Sequence, residues 1–369
     1  MGKKIRVGIL FGGKSAEHEV ALQSAKNVIE AIDKNKYEIV LIGIDKNGRW
    51  HLNESSKYLL NENNPKLIAL NKTNTKDVAL VPAEKETQLV AIRDGRMAGS
   101  LDVIFPVLHG PFGEDGTIQG LLKLLDVPFV GADVLGSAVG MDKDVAKRLL
   151  RDAGLPIAPF LAFDRSTRSR MRFDEIVEKL GLPFFVKPAN LGSSVGINKV
   201  KTEADFEPLI NEAFNYDNKI LIEKYIKGRE IECSVLGNYD PIASLPGEVI
   251  PRHEFYSYEA KYIDENGAIL KIPASLPQHI VTEVQSLAIS AFKTLCCWGM
   301  ARVDFFLTEN EEVIINEINT IPGFTKISMY PKLWEVSGIP YPELIDRLIQ
   351  LALEKYQMEK ELKSSYELI

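Results

Sequence analysis

The sequence predicts a mixed α/β and α+β protein, and three observations carry that prediction. An apolar strand, Ile5 to Phe11, runs into Gly12-Gly13, a helical stripe of Val20, Ala21, Ala25, Val28, Ile29 and Ile32 follows, and the strand Tyr37 to Ile44 completes a βαβ unit. A second module strings together strand Phe184 to Lys187, a glycine-serine loop, strand Gly196 to Lys201, a helix near Ala204 to Asn215 and strand Lys219 to Lys224. Near the end, Ala301 to Leu307 and the run from Ile314 are strand-like halves around the polar turn Thr308 to Glu311, which reads as a hairpin.

Between these anchors the remaining elements follow in order. Residues 51 to about 100 are polar, rich in Asn and Lys, and contain the turn Arg93-Asp94-Gly95-Arg96, which suggests a peripheral insertion. Strand Leu101 to Leu108 resumes the sheet and ends in His109-Gly110. Ligands of open α/β sheets sit beyond the carboxyl ends of strands, so Gly12-Gly13 and His109-Gly110 are expected to face one crevice. A helix around Met141 to Ala153 stops at Gly154-Leu155-Pro156. A third module opens near Lys227 with strand Glu230 to Leu236 and closes with an amphipathic helix on Leu344, Ile345, Leu348, Ile349 and Ala352, before a polar tail. The predicted division is residues 1–131, 132–226 and 227–369.

Composition narrows the function. With 369 residues, 45% hydrophobic and 26% charged, the chain is long enough for two or three domains. A net charge of -7 argues against a nucleic-acid partner and leaves small anionic ligands open. No apolar run approaches the ~18 residues of a membrane span, and Met-Gly-Lys-Lys-Ile-Arg leads into a strand rather than a signal-peptide core, so the expectation is a cytoplasmic protein without a membrane partner. The 3 cysteines form no disulfide framework or zinc spacing.

The richest chemistry lies between Ala301 and Ser328. Period-two alternation puts Arg302, Asp304 and Phe306 on one face, and the hairpin would add Glu317 and Asn319 to it. Asp304, Glu317 and Asn319 are hard oxygen donors suited to Mg²⁺ that also binds phosphates, and such a set is costly to bury without a cation. Lys187 ends an apolar strand just before the loop Gly192 to Gly196, whose backbone N–H groups and hydroxyls can hold phosphate oxygens. Glu223 and Glu230 bracket a strand end and the turn after it, where they suit an adenine amino group and ribose hydroxyls; each alone would be a surface charge. Tyr256, Tyr258, Lys261 and Tyr262 have the composition of a lid, or of an aromatic edge packed on the core. Gly8 to Ser15 formally matches a Walker A motif, but Gly8 falls inside the apolar strand, leaving no phosphate-cradling turn. In the helix after it, Ser15 reads as a cap and Glu17 as a first-turn residue, or as a ligand for a substrate ammonium. His109 is either a satisfied buried histidine or a crevice residue.

Taken together, these stretches resemble the D-alanine–D-alanine ligase family of the ATP-grasp superfamily, from Ile5 to about Leu353. The resemblance rests on Phe-Gly-Gly-Lys-Ser-Ala-Glu17-His-Glu-Val, His109-Gly-Pro-Phe-Gly-Glu-Asp-Gly-Thr-Ile-Gln-Gly, Met141-Asp-Lys143, Val-Lys187-Pro, Gly-Ser193-Ser-Val-Gly, Glu-Ala-Lys261-Tyr262, Arg302-Val-Asp304 and Asn-Glu317-Ile-Asn319-Thr-Ile-Pro-Gly323. It implies a Rossmann-like (preATP-grasp) N-terminal domain followed by a two-domain ATP-grasp fold. It also implies the reaction: ATP phosphorylates the carboxylate of one D-alanine, and the amine of a second attacks the acyl phosphate, making a precursor for peptidoglycan.

The resemblance extends to roles. Lys143, Lys187 and Lys261 would bind ATP phosphates under the loop Ser193, Ser194 and Val195 to Gly196. Glu223 with the backbone of Lys224, Tyr225 and Ile226 would read adenine, Glu230 the ribose, and Phe306 would pack on the base. Asp304, Glu317 and Asn319 would hold two Mg²⁺ ions, with Mn²⁺ as a possible substitute. Glu17, linked to Ser193 and Tyr262, would fix the first ammonium, with His109 in the substrate pocket. Arg302 and the Gly323 amide would stabilise the oxyanion, and Ser328 and Met329 would grip the second carboxylate. A homodimer is the usual assembly of the resembled family.

Leu191, Ile321 and Lys326 depart from the expected pattern, Lys326 near the second-substrate site. Tyr262 favours an amine acceptor. Two alternatives stay open: a depsipeptide ligase using D-lactate, and a non-catalytic ATP-binding scaffold, which would be expected to lose Glu17, Arg302 or a metal ligand.

Overall fold

The protein is described by a computed structural model covering residues 3–53, 57–73, 75–82, 87–252 and 267–363. The chain opens with β1 (Ile5–Gly12), α1 (His18–Ala31) and β2 (Tyr37–Ile44), the expected βαβ unit. Then come β3 (Trp50–Asn53), the small pair β4 (Leu59–Leu60) and β5 (Ala69–Leu70), β6 (Lys76–Val81), β7 (Thr87–Ala91), β8 (Met97–Leu101) and β9 (Val103–Val107). Among the described residues these form a sheet of order β8-β7-β6-β3-β2-β1-β9. The segment 51–100, expected as a peripheral insertion, supplies β3 and β6–β8 and so extends the sheet antiparallel from β2. Its period-two alternation is short and interrupted, which hides strands in a polar composition.

β1 lies between two parallel neighbours, β2 and β9. Both loops after β1 and β9 therefore leave the same sheet end, and Ser15 Oγ donates to the His109 carbonyl at 2.6 Å across them. Gly8 sits mid-strand, and a Cβ there would meet Leu101 Cδ1 at 2.8 Å, so no phosphate loop begins there. The predicted strand Leu101 to Leu108 is divided at Asp102, whose carboxylate accepts the Arg6 N–H at 2.7 Å.

Three helices connect to the second sheet: α2 (Thr117–Leu124), α3 (Val134–Met141) and α4 (Lys143–Asp152). The helix expected around Met141 to Ala153 is α4, set off from α3 because Asp142 adopts extended backbone and its side chain accepts the Asp144 and Val145 N–H groups, which makes Lys143 the first helical residue. The second sheet, order β10-β13-β11-β12, comprises β10 (Phe160–Asp164), β11 (Phe184–Pro188), β12 (Asn198–Val200) and β13 (Lys219–Lys224). Helices α5 (Phe173–Leu180) and α6 (Glu203–Tyr216) cover it through Ile176, Leu180, Phe206 and Ile210.

The third sheet contains β14 (Gly228–Gly237), β15 (Ile242–Ala243), β16 (Gly247–Pro251) and β17 (Ala268–Lys271), then, after α7 (Gln278–Thr294), β18 (Gly299–Thr308) and β19 (Val313–Asn319). α7 packs Ile280, Val284, Ala288 and Phe292 on the inner residues Val303, Phe305 and Ile315, so the alternate residues of β18 face outward. Two helices finish the described chain, α8 (Met329–Val336) and α9 (Tyr341–Lys360). Leu344, Ile345, Leu348, Ile349 and Ala352 of α9 join Val7, Ile9 and Phe105 of the first sheet in one core. Phe324 is in that core too, edge-on to Phe105 at 5.8 Å, which ties the loop after β19 to the first domain.

Candidate active site

The hairpin predicted around Thr308 to Glu311 exists, and its outward face carries the expected residues. Arg302 pairs with Asn319 and Asp304 with Glu317 across β18 and β19, while Glu230 and Glu232 of β14 oppose Phe306 and Asp304. A register shift follows Asp304, so that Phe305 pairs with Ile315 and Asn316 becomes the extra residue of a bulge. As a result Asn316 and Glu317, consecutive in sequence, are both off the core face, and Asn316 Oδ1 lies 3.3 Å from Lys187 Nζ.

The charges on this face are already paired. Arg302 holds Asp304 through Nε and Nη2, both at 2.7 Å, and its Nε is 3.0 Å from Glu232 Oε2. Lys143 Nζ stands 3.7 Å from Glu317 Oε2. No three His, Cys, Asp or Glu side chains among the described residues converge as a preformed metal cluster. The donor chemistry nevertheless fits a hard divalent ion: Asp304 and Glu317 are direct cross-strand neighbours, Asn319 contacts Asp304 at 3.0 Å, and the protein's own cations stand against both carboxylates.

Lysines approach from the second sheet and α4. Lys143 Nζ donates to the Leu191 carbonyl at 2.5 Å, so position 191 contributes main chain and its departure from the expected residue type costs that contact nothing. Lys187 Nζ lies 2.9 Å from Glu223 Oε1, and Lys147, which the sequence reading missed, lies 2.9 Å from Glu223 Oε2. Burial opposes the Glu223 charge, but the two ammonium groups outweigh it and hold the carboxyl below its ordinary range. The Glu223 side chain, expected at adenine, is thus committed to two lysines, and the main chain after it leads to Tyr225, whose ring is 5.9 Å from Phe185 with Lys199 Nζ 4.0 Å above it. In the glycine-serine loop Ser193 and Ser194 take positive φ, 52° and 60°. Glycine at 196 is required: its φ is +71°, and a Cβ would meet Pro188 and the Tyr216 ring inside 3.0 Å.

The first domain contributes its acids and histidine. α1 begins at His18, so Ser15 is not its cap residue; Ser15 Oγ accepts the Glu17 N–H at 3.1 Å and fixes the backbone of Glu17. The Glu17 carboxylate is buried and accepts from Ser193 Oγ, bringing the glycine-serine loop onto the first domain. His109 is buried too, its Nδ1 bonded to the Ile321 carbonyl at 3.0 Å and its Nε2 to Ser24 Oγ at 2.9 Å, and that hydroxyl accepts the Phe324 N–H at 3.2 Å. Burial, with a smaller push from Arg302, lowers the His109 pKa to about 4, so the imidazole is neutral, donates through Nδ1 and accepts through Nε2.

Glu114, inside the His109-Gly-Pro-Phe-Gly-Glu motif, is a further residue of this site. It accepts the Gly110 N–H at 2.7 Å and the Ile321 N–H at 3.1 Å, and burial together with the neighbouring Glu17 raises its pKa to about 8. Ile321 therefore acts through its backbone while its side chain is buried in the core, which accounts for an aliphatic residue there. Ser328 Oγ accepts the Thr325 N–H at 3.0 Å, and Met329 opens α8. Glu17, His109, Ser193, Arg302, Glu317, Asn319, Gly323, Ser328 and Met329 line one cavity of ≈ 60 Å³. Lys326 is exposed and lines a different groove, with Asn27 and Tyr341. Tyr256, Tyr258, Lys261 and Tyr262 lie outside the described residues.

Comparison with known proteins decides the lineage. Residues 6–132 match the family model for the D-ala D-ala ligase N-terminus and residues 149–350 that for its C-terminus. A protein of Shouchella clausii (strain KSM-K16) named D-alanine–D-alanine ligase is 60% identical over 365 residues, 99% of each chain. The chain belongs to the D-alanine–D-alanine ligase family. Among solved structures, the D-alanine-D-alanine ligase from Coxiella burnetii matches this family member with TM-score 0.85 and 40% identity over 98% of this chain and 97% of that one. The VanG D-Ala:D-Ser ligase from Enterococcus faecalis matches with TM-score 0.85 and 35% identity over 95% and 100%. Its fold class is therefore the ligase family's: an N-terminal α/β domain with an ATP-grasp fold after it.

Two residues that sequence reasoning missed in this ligase-family chain carry legible signals in retrospect. Lys143, Ala146, Lys147 and Leu150 are spaced as one helical stripe, and that stripe is buried, so a second lysine on it was a candidate for a paired interior charge. Glu232 is two residues beyond Glu230 on a strand and shares its face. Ser24 had no signal, since its role depends on His109 and Phe324 meeting it from distant segments.

Proposed function

We propose that this protein joins two D-alanines with consumption of ATP, giving D-alanyl-D-alanine, ADP and phosphate for peptidoglycan precursor synthesis. One observation carries the reading: Glu17, Ser193, Arg302, Glu317 and Gly323, drawn from all three sheets' surroundings, line a single cavity. An ammonium ligand, a phosphate-type loop and a carboxylate face suited to a cation thus stand together.

In this reading Glu17 binds the first D-alanine's ammonium, Lys143, Lys187 and Lys261 bind ATP phosphates, and the loop of Ser193, Ser194 and Val195 covers them. The main chain from Glu223 through Ile226 reads adenine, Glu230 binds the ribose, and Phe306 supports the base. Asp304, Glu317 and Asn319 would hold Mg²⁺, two ions or Mn²⁺ in their place, which would neutralise phosphate oxygens when bound. The first carboxylate attacks the γ-phosphorus and ADP leaves. The second D-alanine, its carboxylate held at Ser328 and Met329, attacks the acyl carbon with its amine, a proton is released, and phosphate departs. Arg302 and the Gly323 amide stabilise the oxyanion, a contribution of ~3 kcal/mol per donor. His109 stays neutral and fixes the loop from Ile321 to Phe324 beside this chemistry.

The three-part division at residues 1–131, 132–226 and 227–369 is part of the proposal; it is supported by each sheet falling within one segment. So are a homodimer and a cytoplasmic location; no helix among the described residues is long and apolar enough to cross a membrane. A second reading, a different acceptor in the same fold, is favoured by the likeness to a D-Ala:D-Ser ligase.

The test is phosphate release from ATP and Mg²⁺ with D-alanine, L-alanine, or D-alanine plus D-serine or D-lactate, products identified by mass. D-alanyl-D-alanine from D-alanine alone supports the first reading. A mixed product formed in preference transfers the assignment to the other acceptor, and ATP binding without ligation overturns both.

A further inference from the structure

Lys147 has no part in the reaction as described above, yet it is among the most buried charged residues in the described chain, 2% exposed against 7% for Lys187. It stands one helical turn after Lys143 on α4, and both it and Lys187 lie 2.9 Å from the Glu223 carboxylate, on opposite oxygens. Lys147 and Lys187 share Glu223 at contact distance, and Glu317, which acts on Lys147 from farther off, also faces Lys143, so three cations here stand against two carboxylates. Uncompensated charge in a low-dielectric interior is costly and seeks a counter-ion. The cluster can meet an external anion most readily through Lys187, the less buried lysine, whose Nζ also reaches Asn316 on the bulge beside Glu317.

We propose that Lys147 is a positioning residue for nucleotide binding: by engaging half of the Glu223 carboxylate it leaves Lys187 short of a full counter-charge, and so available to an ATP phosphate oxygen. The inference rests on the phosphate role proposed for Lys187. Without Lys147, Glu223 would become a one-to-one partner for Lys187, and phosphate would have to compete with it. Glu223 then acts as a buried, shared brace for both lysines.

The experiment measures KM for ATP, kcat and melting temperature on the full chain carrying Lys147→Met, Lys147→Arg, Lys147→Met with Glu223→Gln, and Lys187→Met. Lys147→Met leaves Glu223 and Lys187 as a neutral pair, so it should fold, with KM for ATP raised roughly tenfold and kcat within about twofold of the parent. Removing the carboxylate as well, in the double variant, should bring KM back to within about threefold of the parent, and Lys147→Arg should restore it in the single-variant setting. An unchanged KM in Lys147→Met with a lowered melting temperature would make the residue structural only. A raised KM that Glu223→Gln fails to reverse would overturn the shared-carboxylate account. If Lys187→Met itself leaves KM unaltered, the phosphate reading of Lys187 falls, an outcome distinct from the other two.

Discussion

Arg302 and Asp304, two residues apart on one strand, hold each other by two parallel hydrogen bonds of 2.7 Å. The strand's period brings them to the same face, and Glu232 at 3.0 Å is a second carboxylate on the same guanidinium. A cation binding Asp304 must therefore compete with the guanidinium, which would then be released toward a developing anion.

Arg302→Met should bind Mn²⁺ more tightly than the parent, by about tenfold, because the competitor for Asp304 is gone. Turnover should fall about 10²–10³-fold through loss of the oxyanion partner. Electron paramagnetic resonance of free Mn²⁺ reads the first effect without reference to activity. Unchanged Mn²⁺ affinity would remove Asp304 from the metal assignment.

Glu317→Gln keeps size and removes the charge opposite Asp304. Ligation should be abolished, measured as phosphate release with D-alanine. Near-normal turnover would be incompatible with Glu317 as a metal carboxylate.

pH dependence follows from two buried groups with opposite shifts. The folded His109 sits at about 4 against an ordinary 6.5, so as pH falls from 6.5 the unfolded chain takes up the proton first and stability is lost down to about 4. Glu114 sits at about 8 against 4.5, so as pH rises from 4.5 the unfolded chain ionises first and stability is lost up to about 8. Their contributions oppose each other below 6.5 and only Glu114 acts above it. Urea titrations should therefore show stability falling between pH 6.5 and 8, with a smaller fall in Glu17→Gln, where the like charge beside Glu114 is absent. An equal slope in both proteins would exclude Glu17 as a cause of the shift.

Phe324→Ala should cost about 3–5 kcal/mol in chemical denaturation, since the ring is fully buried against Phe105, Tyr330 and Tyr341. Ser24→Ala should cost about 1–3 kcal/mol by orphaning the Phe324 N–H and leaving His109 Nε2 without its donor. A loss below about 0.5 kcal/mol for Ser24→Ala would mean that this bridge does not hold the loop.

Much of this is legible in the sequence alone. Period-two alternation put Arg302, Asp304, Glu317 and Asn319 on one face because a strand's geometry allows only two faces. The βαβ start and the crevice at Gly12-Gly13 and His109-Gly110 followed from strand order in an open sheet. The strands of the segment 51–100 were not legible because they form by successive pairing, β3 on β2, β6 on β3, β7 on β6 and β8 on β7, which local composition does not encode. The helix expected around Met141 to Ala153 came out as α4, its start readable from Asp142 as an N-cap.

The sequence by itself determined the residue types and their local phase: which acids share a strand face, which lysines share a helix stripe, where glycine must bend the chain. Only the tertiary structure decided the partnerships, because they join residues far apart in the chain. Examples are Glu17 with Ser193, Lys147 and Lys187 on Glu223, and the Ser24 bridge from His109 to Phe324. Their physical cause is burial. Once packing removes water from these polar groups, each must find a protein partner, and which partner is within reach depends on how the three sheets come together.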